Sequence, residues 1–221
     1  MREAFDQELQ RIRLGLTEML AGVRETLRLS QQMLVDRQPV ALSQITALDR
    51  LTDARQDRIE EVCLRAIALH QPVAGDLRFL AAVLKSLTDV ERMGDYAVHV
   101  AEDAETLNAQ PALKPYVSLN QMISDLDGML AGLDFAIKGQ DLAAARRVHA
   151  ADAAIDEFYE QLQRELVTYM LEDLRTIGRA MLLIRVARSL ERIGDHIENV
   201  AERLIFWISG ERLTRSPAAE G

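Results

Sequence analysis

The chain has 221 residues, a formal net charge of −9 and a single cysteine, Cys63. A dedicated nucleic-acid binder normally carries a basic patch or a high pI, so this acidic chain is not expected to bind nucleic acid. One cysteine excludes an internal disulfide and a thiolate zinc site, and it fits a reducing cytoplasm. With only 5 prolines, 11 glycines and 5% aromatic residues, the composition favours helix.

Neither a signal peptide nor a membrane span is predicted. The N-terminal residues MREAFDQELQRIR contain no apolar stretch of the kind that a signal peptide needs. The longest apolar runs, such as Phe79–Leu84 and Leu204–Ile208, have five or six residues, whereas a spanning helix needs about 20. We therefore expect no membrane insertion, while peripheral association through a membrane complex is compatible with the sequence.

Apolar residues recur at helical spacing, and helix breakers divide the chain into six predicted helices. These helices cover approximately residues 2–36, 40–70, 73–107, 117–138, 141–171 and 176–209. Pro39 and Pro72 separate the first three, because proline disfavours helix in the residue before it. Asp141 is the expected N-cap of the fifth helix. Pro111 and Pro115 mark the boundary between two halves.

A twelve-residue motif occurs twice, one hundred residues apart. Residues 91–102 read ERMGDYAVHVAE and residues 191–202 read ERIGDHIENVAE, with seven identical positions. The two copies lie at corresponding places in the third and sixth predicted helices. A repeat at fixed spacing, without insertion, indicates an internal duplication.

We predict an all-α fold of two tandem antiparallel three-helix bundles related by this duplication. Short connections make successive helices antiparallel neighbours, and no strand-like alternation bounded by turn residues is present. The predicted organisation is a first bundle at residues 1–110, a second bundle at 116–210 and a polar tail at 211–221.

Each copy of the motif places two carboxylates on an apolar helix face. In the third helix this face runs through Leu77, Leu80, Leu84, Leu87, Glu91 and Asp95. In the sixth helix it runs through Ile177, Ala180, Ile184, Ala187, Glu191 and Asp195. Like charges four residues apart repel, and partly buried carboxylates without a counter-ion either cost free energy or take up protons. The pattern therefore indicates a cationic partner.

The preceding helix of each half carries a matching D-x-x-x-D pair, and in the second helix this pair continues the apolar line. If neighbouring helices pack antiparallel, two carboxylates from each helix can converge, so we predict one metal site per bundle. The predicted ligands are Asp49, Asp53, Glu91 and Asp95 in the first bundle, and Asp152, Asp156, Glu191 and Asp195 in the second. Such an oxygen-rich set suits Mg²⁺, Ca²⁺, Mn²⁺ or iron better than a structural zinc.

Two neighbouring residue types sharpen this prediction. Gly94 and Gly194 lie inside the acidic motifs. A mid-helix glycine costs about 1 kcal/mol against alanine, so its repetition indicates close approach of a neighbouring helix or a bound ion. Arg92 and Arg192 follow the glutamates by one residue and point about 100° away around the helix. We therefore expect these arginines to be poor partners for the neighbouring glutamates.

The chain resembles the PhoU family over essentially residues 3–210. The resemblance rests on ERMGD and ERIGD in the third and sixth helices, on QPVAGDLR at residues 71–78, and on TYMLEDLRTI at residues 168–177. The duplication and its spacing belong to the same pattern. All eight predicted metal positions match carboxylates of the family's E/D-x-x-x-D motifs.

The resemblance implies properties that the residues alone do not. PhoU proteins are cytoplasmic, are built from two three-helix bundles and are often dimeric, and some bind multinuclear iron or zinc clusters on these motifs. The family couples phosphate uptake by an ABC transporter to a sensor histidine kinase, and it restrains the phosphate-starvation response when phosphate is plentiful. The expected partners are therefore the transporter ATPase, the kinase and a second copy of the chain.

Two other functions are compatible with a helical bundle. A di-metal carboxylate enzyme of the ferritin-like kind would use Glu-x-x-His pairs. The residues three before the four histidines are Ile67, Tyr96, Arg146 and Ile193, and none is glutamate. We therefore expect no enzymatic activity and no organic cofactor. The other alternative is a metal-free interaction bundle, in which the carboxylates would be protonated or paired with arginine.

Overall fold

A computed structural model of the chain describes residues 2–212 and contains six long helices joined by short connections. The helices are α1 (Arg2–Leu34), α2 (Leu42–His70), α3 (Ala74–Asn108), α4 (Val117–Gly139), α5 (Leu142–Glu172) and α6 (Ile177–Ser209). A 3₁₀ turn at Leu174–Thr176 precedes α6. Within residues 2–212 there is no β-strand, so the predicted all-α class is confirmed.

The helix ends lie where the sequence patterns place them. The Asp141 side chain accepts a hydrogen bond of 2.9 Å from the amide of Ala144, which confirms it as the N-cap of α5. Gly210 ends α6 in the left-handed conformation, at φ 77°, as helix C-termini commonly do. The chain after α2 turns at Gln71, which has φ 46°, because Pro72 disfavours helix in that residue.

Helices α3 and α6 form the centre of the molecule and run antiparallel. Arg203 near the end of α6 donates to the carbonyl oxygen of Lys85 near the start of α3, at 2.6 Å. At the other end of the pair, Arg185 forms an ion pair of 2.9 Å with Asp103. Each half adds two further helices to its own central helix, and the predicted pair of duplicated three-helix bundles is confirmed.

The duplication gives the central helix pair an approximate twofold relationship. Tyr96 and His196 occupy the same place in the two copies of the motif, and their rings stack with centroids 5.8 Å apart. Equivalent residues near the middle of α3 and α6 therefore lie close to one another.

The two halves also meet outside this central pair. Arg24 of α1 donates two hydrogen bonds of 2.7 and 2.8 Å to Asp127 of α4.

The apolar core follows the predicted helix faces with one correction at each central helix. In α1 the buried line is Ile12, Leu16, Leu20, Val23 and Leu27. In α3 and α6 the buried faces begin at Leu80 and Ala180, whereas Leu77 and Ile177, predicted as their first members, are 44% and 40% exposed. Both lie in the first turn of their helices, where too few neighbouring helices surround them to bury the face.

Within residues 2–212, no helix combines the length and the apolar composition that crossing a membrane requires. Most of the predicted polar tail, residues 213–221, lies outside the described residues.

Candidate metal centre

In the second bundle, three of the four predicted ligands come together. One carboxylate oxygen from each of Asp152, Asp156 and Asp195 lies within 4.8 Å of the other two. The first two residues are one turn apart on α5, and the third is on α6. Three carboxylate oxygens at these separations could hold a metal ion between the two helices.

Asp152 is the most buried of these groups, with 5% of its surface exposed. Its Oδ1 atom is buried and has no hydrogen-bond partner. Burial raises the pKa of Asp152 to about 7, and the neighbouring negative charges of Asp156, Glu198, Asp195 and Glu191 contribute to the same shift. A carboxylate in this environment binds either a proton or a cation, because the bare anion is poorly solvated.

Glu191, the fourth predicted ligand, lies beside this cluster and outside the 4.8 Å group. Its Oε2 is buried without a hydrogen-bond partner, and it lies 3.4 Å from Nε of Arg192. Burial raises the pKa of Glu191, and Asp195 raises it further, against the lowering effect of Arg192. Glu191 is therefore oriented partly towards a cation that the chain itself supplies.

The first bundle repeats the arrangement in a more open form. Burial and the charges of Asp53, Asp95 and Glu91 raise the pKa of Asp49 to about 6. One oxygen each of Asp49 and Asp53 is buried without a hydrogen-bond partner. Throughout residues 2–212, however, only the second bundle brings three acidic ligand atoms within 4.8 Å of one another. The carboxylates of the first bundle thus repel one another, but they do not form such a tight cluster.

The two motif glycines have a direct structural reason. A β-carbon built at Gly94 would lie 2.6 Å from Oδ1 of Asp49, and one built at Gly194 would lie 2.5 Å from Oδ1 of Asp152. Such distances are far inside van der Waals contact. Of the two explanations that the sequence allows, the structure shows the neighbouring helix: a carboxylate of α2 or α5 lies against the glycine backbone.

The expectation for the motif arginines is wrong. Nη1 of Arg92 lies 3.0 Å from Asp95, and Nη1 of Arg192 lies 2.8 Å from Asp195. The arginine side chain is long enough to run along the helix to the residue three positions later, which faces the same side. The same arginines also lie 3.5 Å from Glu91 and 3.4 Å from Glu191. Each acidic pair of α3 and α6 is therefore partly compensated, while one oxygen each of Asp49, Asp53 and Asp152 is buried without a hydrogen-bond partner.

These observations support the fit of a metal ion to the residues present. Four buried oxygens of the predicted ligand set, on Asp49, Asp53, Asp152 and Glu191, lack hydrogen-bond partners. All are carboxylate oxygens, the donors that hard cations prefer. Burial, together with the repulsion between the carboxylates, raises the pKa of the aspartates on α2 and α5, and a bound cation would neutralise that repulsion.

Gln56 is an additional oxygen ligand candidate that the predicted ligand set does not include. It lies on α2 three residues after Asp53, and its Oε1 is buried without a hydrogen-bond partner. Its position on the acidic face of α2 was a usable signal, since residues three apart share a helix face. The first bundle therefore offers an amide oxygen beside its carboxylates.

Sequence reasoning also missed a polar network between α3 and α6. Asp89 is buried, accepts from Arg203 and lies 2.8 Å from Nδ1 of His196. Asn199 donates to the same carboxylate at 3.4 Å. Position 189, one hundred residues later, is a serine, so the duplication gave no signal for this network. It joins the two halves beside the acidic motifs.

His149 is placed near the second cluster without being one of its close ligands. Its ring lies 3.5 Å from Glu198 and 3.5 Å from Glu202, both on α6, and its side chain is 28% exposed. Because His149 precedes Asp152 by three residues, the sequence allows it as an extra ligand. The expectation from the sequence is nevertheless a partly exposed histidine outside the site. The structure shows it paired with glutamates across the α5–α6 interface.

The fold and the acidic clusters together define a class: duplicated three-helix bundles with carboxylates facing each other across two helices. Residues 16–104 and 119–204 match the PhoU domain. The chain therefore belongs to the PhoU family, which confirms the resemblance drawn from the sequence motifs.

Individual relatives are similar over nearly the whole chain. One is a phosphate-specific transport system accessory protein PhoU homolog of Deinococcus radiodurans, 50% identical over 96% of this chain and 100% of the relative. A homolog of the same description from Aquifex aeolicus is 40% identical over 93% of each chain. Among solved structures, the crystal structure of PhoU from Pseudomonas aeruginosa has a TM-score of 0.89 and 35% identity, covering 94% of this chain and all of that one.

Proposed function

We propose that this protein regulates phosphate uptake and phosphate-starvation signalling, as an adaptor that couples a phosphate ABC transporter to a sensor histidine kinase. The observation that carries the proposal is similarity over nearly the full length to proteins described as phosphate-specific transport system accessory proteins. The relatives are described as accessory proteins, and the sequence has no Glu-x-x-His pair of the kind that ferritin-like di-metal enzymes use. We therefore propose that the protein is not an enzyme.

Within this function, we propose that each bundle, at residues 1–110 and 116–210, holds metal at its carboxylates. The ligands would be the eight acidic residues predicted from the sequence. Support comes from the three-carboxylate cluster of the second bundle and from the orphaned buried oxygens of both bundles. A metal bound only by the folded state would stabilise the bundles by mass action, and its identity, whether iron, zinc, Mn²⁺, Mg²⁺ or Ca²⁺, is a matter for elemental analysis.

The cellular setting is proposed from the relationship to the family. We propose a cytoplasmic homodimer that associates peripherally with the membrane through the transporter and binds no nucleic acid. The net charge of −9 supports the last point, because nucleic-acid binding relies on clustered positive charge.

The test is a pull-down with the purified protein against the host's phosphate transporter ATPase and the cytoplasmic part of its phosphate-sensing kinase. It should be run at high and low phosphate. Binding to both partners, with a phosphate-dependent change in at least one complex, is the expected result. Binding to neither at either concentration would contradict the adaptor function.

Elemental analysis of gently purified protein tests the metal sites separately. We expect metal in the wild type and reduced metal in a Glu91→Gln, Glu191→Gln double variant. A metal-free wild type whose stability does not respond to divalent ions would favour the metal-free interaction bundle, and the adaptor function would survive that result.

A further inference from the structure

A groove on the outer surface between α1 and α2 combines an apolar floor with a basic rim. Its volume is about 400 Å³, and none of the eight proposed metal ligands lines it. Ile12, Gly15, Ile59 and Val62 form the floor, Leu14 lies at the edge, and four arginines and two glutamates form the rim. The proposed metal sites do not account for this surface.

Beneath the apolar floor, α1 and α2 approach each other closely. A β-carbon at Gly15 would lie 2.9 Å from Ile59, so glycine allows this isoleucine to pack directly on the α1 backbone. Ile12 and Ile59 are buried, whereas Leu14 is 58% exposed at the edge. The groove therefore presents aliphatic surface along the line where the two helices meet.

The rim carries a net positive charge because its arginines outnumber its glutamates. Arg65 pairs with Glu8 at 3.2 Å, and Arg55 lies 3.8 Å from Glu18. Four arginines against two glutamates leave a local charge of +2, on a chain whose net charge is −9. The two surplus cations can attract an anionic partner.

Arg11 and Arg58 supply this surplus. Both are exposed, and neither has an ion-pair partner in the part of the chain that the structure describes, residues 2–212. They belong to different helices and lie on the same groove. An exposed guanidinium without a partner can form a bidentate pair with an incoming carboxylate.

The corresponding helices of the second bundle show that a basic rim is not a general consequence of this fold. A groove of about 590 Å³ between α4 and α5 is lined by small and apolar residues, and among the described residues Arg147 and Asp125 are its only charged groups. Their charges cancel. This groove between the corresponding helices provides a control surface without the surplus positive charge.

We propose that the α1–α2 groove is the docking surface for an acidic amphipathic helix of a partner protein. An apolar channel between two helices fits the apolar stripe of a third helix, and the free arginines match carboxylates on the flanks of that stripe. A small free anion would leave the apolar floor unused, and a flat lipid surface would not enter a groove. The inference rests on the proposed adaptor function and names the surface through which it acts.

The experiment measures binding of the full-length protein to the host's phosphate transporter ATPase and to the cytoplasmic part of its kinase, across a series of salt concentrations. The test variant is Arg11→Glu with Arg58→Glu, and the control is Arg147→Glu in the α4–α5 groove. Far-UV circular dichroism and thermal melts check that all proteins are folded. Arg58→Lys serves as a second variant that keeps the charge.

We expect the double variant to lose about tenfold or more in affinity for one partner, because like charges across an interface repel. Arg147→Glu should bind like the wild type, and Arg58→Lys should retain most of the affinity. Wild-type affinity should fall with salt more steeply than that of the double variant.

Equal binding by wild type and double variant would overturn the groove inference and leave the adaptor function standing. Absence of wild-type binding to either partner would overturn both. Two further readouts address other occupants: sedimentation of each variant, and binding to vesicles of phosphatidylglycerol. A change in oligomeric state that occurs only in the double variant would assign the groove to a second copy of the chain. Vesicle binding that is lost only in the double variant would assign the groove to a membrane surface. Either result would overturn the proposal.

Discussion

Oδ1 of Asp152 lies against the backbone of Gly194, so close that a β-carbon at that glycine would be 2.5 Å from it. The same oxygen is buried and has no hydrogen-bond partner. The glycine thus allows α5 and α6 to bring an acidic group into their interface. The first bundle repeats the relationship with Asp49 and Gly94, at 2.6 Å.

Replacing this glycine should disturb the packing of α5 against α6. In Gly194→Ala the new methyl group displaces Asp152, and we expect a net loss of about 1–2 kcal/mol in the free energy of unfolding, after the gain in helix propensity. Urea unfolding measures the loss. Gly128→Ala is the matched control, because nothing lies within 4 Å of a β-carbon there, and it should stabilise α4 by up to about 1 kcal/mol. Equal effects of both changes would contradict the close contact.

The stability of metal-free protein should fall with rising pH. The pKa of Asp152 is about 7 in the folded state, above its usual 3.8, so the folded protein holds this proton more tightly than the unfolded chain. The contribution is complete below about pH 4, is lost as pH rises through 7, and is of the order of 4 kcal/mol. Denaturant unfolding between pH 4 and 8, with chelator present, measures it.

Asp152→Asn isolates this pH effect. The neutral amide avoids burying a charge, so we expect the variant to be more stable than wild type at pH 8 without metal, and to show a flatter pH profile. Glu157→Gln, an exposed position on the same helix, is the control and should keep the wild-type profile. An unchanged profile in Asp152→Asn would assign the pH dependence to other groups.

Metal should bind the second bundle before the first. Only the cluster of Asp152, Asp156 and Asp195 has three ligand oxygens within 4.8 Å of one another in residues 2–212, so less carboxylate movement is needed there. We expect Asp156→Asn to lower the metal content at limiting metal more than Asp53→Asn does. Elemental analysis after equilibrium dialysis measures this, and the reverse order would show that the open site binds more tightly.

The buried network between the halves should matter for stability. Asp89→Ala leaves Arg203 and His196 without their shared carboxylate. We expect the free energy of unfolding to fall by about 2–3 kcal/mol, less than for a fully buried ion pair because Arg203 is partly exposed to solvent. Asp103→Ala is a useful comparison, since its partner Arg185 is 65% exposed and can return to water. A larger loss at Asp103 than at Asp89 in chemical denaturation would contradict this account.

Much of the fold was predictable from local signals. Proline positions and apolar periodicity located six helices, and the ERxGD repeat by itself indicated the duplication. On the apolar faces of α3 and α6, the prediction of burial was wrong at the first members, Leu77 and Ile177. Periodicity reports which face a residue is on, whereas burial also depends on whether a neighbouring helix extends that far.

The candidate site was predictable in part. Helical spacing indicates that Glu191 and Asp195 share a face, and the structure places them there. The reach of Arg192 to Asp195 was missed, because angular position around a helix ignores the length and flexibility of an arginine side chain. The pairing of Asp89 with His196 joins residues 107 positions apart, and no repeat or motif in the sequence signals it.

The sequence by itself determined the helices, their acidic faces and the duplicated architecture, because these depend on residue type and on spacing within one helix. Only the tertiary structure decided which oxygens converge. Asp152, Asp156 and Asp195 meet closely while the equivalent residues of the first bundle stay more open, although both halves carry the same carboxylate spacing. The distance between acidic groups on two helices is set by how the helices cross and by their relative axial shift, and those depend on packing across the whole core.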